Sequence, residues 1–126
     1  MPAFPWTQRS APESGRRYTA MASRLTLKSY TSLPGFLRRT LQIRRQLKSA
    51  SGLVGYSLRA DLRRKTFFTV SVWHDDASLR AFAAADPHAS IVRGLRTHMR
   101  DTHFEFFALA SADLPPAWAS VIARVP

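Results

Sequence analysis

The stretch Thr66–Trp73, TFFTVSVW, sets Phe68, Val70 and Val72 against Phe67, Thr69, Ser71 and Trp73. Successive side chains of a strand point to opposite faces, so this strand carries aromatic residues on both. Such a strand needs cover on two sides, which excludes an isolated hairpin and asks for a sheet inside a layered fold. Leu53–Leu62 (LVGYSLRADL) reads as its partner across Arg63-Arg64-Lys65, a short hairpin turn.

The flanking segments extend the pattern. RLTLKSY, Arg24 to Tyr30, alternates as a first strand, and Leu33-Pro34-Gly35 breaks it. Residues 36–50 project as an amphipathic helix with Phe36, Leu37, Thr40, Leu41, Ile43 and Leu47 on one arc and Gln42, Arg45, Gln46 and Ser49 on the other. Arg44 falls inside the apolar arc, where a guanidinium needs a counter-charge, a carbonyl, a ligand anion or a route past the helix edge to water. Asp75 or Asp76 caps a second helix whose inner face is Leu79, Phe82 and Ala83. Asp86-Pro87 opens a third helix expected to run to about Arg100, and Thr102–Ser111 alternates as the last strand. The order is strand, helix, strand, strand, helices, strand. It predicts an α+β fold, a ferredoxin-like βαββαβ with an antiparallel sheet and helices on one side. The other side of that sheet is then bare, and a second copy of the chain is the simplest cover for it.

The 126 residues suit one domain. Residues 1–20, rich in Pro, Ser and Arg, read as a flexible N-terminal segment, residues 21–113 as the domain, and residues 114–126 as a C-terminal tail packing through Trp118, Val121 and Ile122. Met21 is an alternative start, and Pro2, Pro5 and Pro12 oppose the helix of a transit peptide. No apolar stretch reaches a membrane span, so a cytoplasmic protein is expected.

With no Cys, the chain has no disulfide, zinc-thiolate, iron–sulfur or thiol chemistry. Nineteen Lys and Arg against eight Asp and Glu give a net charge of +11, which raises nucleic acid as a partner. Arg supplies 16 of the 19 and Asn is absent, the bias that GC-rich codons produce on their own. The strand order is also that of the RNA-recognition motif. Lys65-Thr66-Phe67-Phe68-Thr69, however, lacks that motif's glycine and has Thr at its last aromatic place. Nucleic acid is therefore not the expected partner. Nucleotide loops and the G-x-S-x-G elbow are absent as well.

Among the four histidines, His88 is the most informative. It projects with Ile91, Val92, Leu95 and Met99 on the inner arc of the third helix, in its first turn. The positive end of a helix favours the neutral imidazole, which can accept a proton or bind a metal. The alternative is a core histidine satisfied by one backbone carbonyl. His74 sits in a His-Asp-Asp turn, and no pair of histidines has the spacing of a metal site, so no metal is expected from these residues.

Val70–Arg96 contains S-x-W-x-D-x-x-x-L-x-x-F-x-x-x-x-x-H, read here as Ser71, Trp73, Asp75, Leu79, Phe82 and His88. This run resembles the dimeric α+β barrel superfamily of antibiotic biosynthesis monooxygenases, in particular its spheroidene monooxygenase-like branch. The resemblance covers about residues 21–113. It implies two ferredoxin-like subunits whose sheets close a barrel, each with a cavity between sheet and helices, and oxidation of aromatic or isoprenoid molecules, with no cofactor or with haem. On matching positions, Trp73, Phe82 and His88 line that cavity, with Val92 and Met99 beside them. His88 is then the proton-transferring or haem-contacting residue, and Arg44 meets an acidic group of the ligand. Phe82 and Val92 stand where haem-degrading members carry Trp and His, which argues against haem degradation of that type. The expected activity is thus oxidation or binding of a small hydrophobic molecule by a homodimer, the alternative a non-catalytic dimer that binds haem or a hydrophobic ligand.

Overall fold

Strand Thr66–Trp73 lies where its two apolar faces require, between two other strands in the middle of a five-stranded antiparallel sheet. The computed structural model describes residues 3–126. Its strands are β1 (Ala3–Gln8), β2 (Arg17–Leu27), β3 (Leu53–Asp61), β4 (Thr66–Trp73) and β5 (Met99–Ala110); its α-helices are α1 (Leu33–Lys48), α2 (Asp76–Ala84), α3 (His88–Leu95) and α4 (Trp118–Arg124). The order across the sheet is β1-β3-β4-β2-β5. Strands β2 to β5 with the helices between them make the expected ferredoxin-like unit, and β1 is an addition on the β3 edge.

Register separates two faces. On one, Met21, Ser71 and Tyr56 lie side by side, then Ser23, Thr69 and Leu58, then Leu25, Phe67 and Ala60. Helix α1 covers this face from the β3 side and α3 packs against Leu27, Phe67 and Met99. On the other, Ala20, Val72 and Gly55 form one row and Ala22, Val70 and Ser57 the next.

Three expectations need correction. Residues 1–20, read as a flexible segment, include β1 and the first residues of β2, where Tyr18 and Ala20 are buried. The first strand thus starts before Arg24, and its earlier half escaped notice because Ala20 and Ala22 alternating with Thr19, Met21 and Ser23 give little hydropathy contrast. Tyr30, assigned to the strand end, instead begins a 3-10 turn, its hydroxyl donating to the carbonyls of Leu62 and Arg63 at 2.8 and 2.9 Å.

Second, the sheet face away from α1 to α3 is not bare. Val121 and Val125, 1% and 0% exposed, pack on Ala22, Phe68 and Val70, and Leu114 and Trp6 pack beside Val54 and Val72. The chain's own C-terminal segment is the cover that a second subunit was expected to supply. Third, α3 stops at Leu95 and a 3-10 turn, Arg96–His98, leads into β5, so Met99 belongs to a strand. Gly94 weakens the helix one residue before its end.

Candidate functional site

Between the sheet and helices α1, α2 and α3 lies a cavity of about 290 Å³. Residues four and seven apart on a helix share a face, and the stripe Phe36, Thr40, Ile43, Arg44 and Leu47 of α1 forms one wall. His88, Val92 and Leu95 of α3 form another, with Phe82 from α2 and Met99 and Phe104 from β5 completing it. The floor comes from the middle of β2, β3 and β4: Met21, Ser23, Leu25, Tyr56, Leu58, Thr69 and Ser71.

Of the residues singled out from the sequence, Arg44, Phe82, His88, Val92 and Met99 line this one space. Trp73 does not. It is 0% exposed, its Nε1 donates to Ser71 Oγ at 2.9 Å, and its ring stands 5.1 Å from that of Phe82, so it supports the wall from behind. The reason is register: Trp73 is the last residue of β4, opposite Leu53 and beyond the end of the cavity floor.

His88 is half-buried at the start of α3, its ring 5.0 Å from that of Phe82. Its Nδ1 lies 3.1 Å from the carbonyl oxygen of Ala83. A carbonyl can only accept, so Nδ1 carries the hydrogen and Nε2 is the ring's basic atom. The backbone reaches the same place through Gln46, whose Oε1 accepts from the His88 N–H at 2.9 Å while its Nε2 donates to the carbonyls of Phe82 and Ala85 at 3.4 and 3.5 Å. Gln46, which the helical projection assigned to the polar arc, thereby ties α1 to the junction between α2 and α3 and fixes His88 against it.

Arg44 turns inward, and its Nε donates to the Tyr56 hydroxyl at 3.4 Å. On the floor, Ser23 and Thr69 hydrogen-bond each other. Helix starts are held by aspartates outside the cavity. Asp75 Oδ1 accepts from the Ser78 N–H at 2.8 Å, and this bond, with the Ser78 hydroxyl, keeps the carboxyl below the ordinary 3.8. Asp86 Oδ1 accepts from the Ser90 hydroxyl at 2.6 Å and from its N–H at 3.1 Å, with the same consequence.

The sequence reading missed Tyr56 and the serine and threonine floor. The signal was present: Ser23, Thr69 and Ser71 are hydroxyl residues at inward positions of otherwise apolar strands, which is where a core would place Val or Leu. The other histidines stand apart. His74 Nε2 is 3.4 Å from Ser10 Oγ, and His98 Nδ1 is 3.3 Å from Ser32 Oγ. No cluster of three metal-binding side chains occurs among the described residues, and none of their helices is long and apolar enough to cross a membrane.

Comparison with solved structures finds the same α+β fold in antibiotic biosynthesis monooxygenases. An antibiotic biosynthesis monooxygenase superposes with a TM-score of 0.64 at 15% identity, covering 71% of this chain and 95% of the other. SnoaB, a cofactor-independent oxygenase from Streptomyces nogalater, gives 0.63 at 17% identity over 78% of this chain and 97% of its own. PA3566 from Pseudomonas aeruginosa gives 0.63 at 15% identity over 71% and 91%. No family model matches the sequence, and no curated protein matches it.

Proposed function

We propose that this chain is a monooxygenase-like protein that takes a small, ring-bearing hydrophobic molecule into the cavity and oxidises it, with His88 moving the proton. The observation that carries the reading is the state of His88. An imidazole whose Nδ1 is committed to a carbonyl presents a basic Nε2, and the residue lines a mostly apolar space that also holds Tyr56, Ser23, Thr69 and Ser71 as hydrogen-bonding points. A cavity of about 290 Å³, at the lower end of ligand pockets, suits a small ring-bearing molecule.

A smaller occupant than haem is the better match, since at about 290 Å³ the space is at the lower end of ligand pockets, roughly 300–1,000 Å³. The oxygenase chemistry that SnoaB's description names, without a cofactor, fits these residues better. His88 Nε2 takes a proton from an acidic C–H next to the rings; the electron-rich carbanion reduces O2. A methylene and O2 become a carbonyl and water, with no outside reductant.

The reading includes a homodimer, now on different grounds from a bare sheet. Phe104 and Phe106 stand 46% and 64% exposed on β5, the outer strand, and Phe104 also lines the cavity, so a second copy covering this edge would close the site.

The experiment is oxygen uptake with anthrone, a three-ring ketone whose methylene is acidic. The protein should accelerate uptake and anthraquinone formation, and His88→Ala should remove about a hundredfold or more of that acceleration, the scale of a lost general base. Binding of anthrone without accelerated uptake would leave a ligand-binding protein instead of an enzyme; neither binding nor uptake would remove the reading.

A further inference from the structure

We infer that the cavity selects molecules bearing a carboxylate on an apolar frame, and that Arg44 receives it. The inference rests on the reading of the cavity as a ligand site. Helix α1 carries several arginines, and Arg38 and Arg45 take the solvent side where a charge belongs. Arg44 is the charged member of the inward stripe, half-buried between Ile43 and Leu47, and its guanidinium is anchored through Nε to the hydroxyl of Tyr56. Arg96 lines the same space from the exposed turn after α3. No Asp or Glu lines it among the described residues.

That one-sided set has a physical consequence. Cationic groups facing a space walled by low-dielectric side chains focus a positive potential into it. A carboxylate that leaves water to enter is compensated by charge-assisted hydrogen bonds, whereas a neutral amide of the same shape gains less and an ammonium is repelled. Arg suits the role better than Lys because its planar fork matches the two oxygens of a carboxylate. The hydrogen bond to Tyr56 keeps the guanidinium turned toward the cavity.

The test uses three probes of one shape: 1-naphthoate, 1-naphthamide and 1-naphthylmethylammonium, titrated calorimetrically into the purified full chain. Naphthoate should bind about tenfold or more tighter than the amide, the scale of hydrogen bonds to a charged group, with the ammonium weakest. Arg44→Gln should erase the preference for naphthoate while weakening naphthamide far less, a split that a merely structural role would not produce. Arg44→Lys, which keeps the charge and most of the packing, should retain part of the preference. Equal binding of naphthoate and naphthamide by the unaltered protein, or a preference that survives Arg44→Gln, overturns the inference while the cavity reading stands. A preference abolished instead by Arg96→Gln transfers the role to Arg96 and overturns the assignment. If neither naphthalene binds, the cavity reading fails and this inference with it.

Discussion

Replacing Val125 with Ala tests whether the C-terminal segment is part of the core. Val125 is 0% exposed and packs with Val121 on Ala22, Phe68 and Val70, in the second face of the sheet. The change removes two methyl groups, about 0.8 kcal/mol each in transfer free energy, or about 1.6 kcal/mol. The space they leave, about 50 Å³ if nothing relaxes, adds up to about 1.2 kcal/mol at about 24 cal/mol per Å³. The hydrogen bond from the Arg24 side chain, Nε to the Val125 carbonyl at 3.2 Å, limits how far the segment can collapse into the gap. A loss of about 2–3 kcal/mol follows, and for a domain of this size that lowers Tm by roughly 6–15 °C. Urea unfolding at matched conditions supplies the free energy, with an unchanged m value showing that the unfolded reference is the same. A Val125→Ala protein melting within 2 °C of the original would mean that this side of the sheet is not closed by its own C-terminus, and the expectation of a second subunit there would return.

Three further outcomes are expected. Gly55 lies under the Trp6 ring, and a Cβ there would sit 2.6 Å from Trp6 Cε2; Gly55→Ala should therefore displace the ring, raise tryptophan emission wavelength and lower Tm, and an unchanged spectrum would refute the seat of β1 on β3. Asp75 and Asp86 are held below the ordinary 3.8 by Ser78 and Ser90, so both stabilise the fold fully above that pH and lose the contribution as pH falls below it; Tm should be flat from neutral to about pH 5 and drop beneath pH 4, more gently in Asp75→Asn, and equal acid slopes in the two proteins would contradict the capping role. Added haem should give no Soret shift that depends on His88, because a cavity of about 290 Å³ matches a smaller occupant; a shift abolished by His88→Ala would overturn that preference and assign His88 to haem.

What the sequence disclosed depended on contrast. Strand β4 was legible to its end residues, because alternation with aromatic residues on both faces leaves no other reading, and the stripe carrying Arg44 was legible because one charge interrupted a helical pattern. The start of β2 was not, since Ala20 and Ala22 fill a buried face without the volume that marks one. Ala22 packs against Val121 and Val125 at the far end of the chain, and no local pattern announces a contact between residues about a hundred positions apart. Gln46 shows a related limit. A projection assigns a polar residue to solvent, but here both ends of the amide are spent on the backbone of another helix junction. Trp73 shows a third limit: placed on the cavity by the resemblance, it lies instead against Phe82, which lines that cavity.

The claim on which the functional account depends is that an apolar ligand enters between the sheet and α1, α2 and α3. Its most direct measurement is a two-dimensional amide NMR titration of the labelled chain with 1-naphthoate. The account predicts saturable shifts at Ser23, Arg44, Tyr56, Thr69, His88 and Val92, with the amides of β1 and α4 unmoved. Shifts confined to α4 and β1, or no saturable shift anywhere, would contradict it.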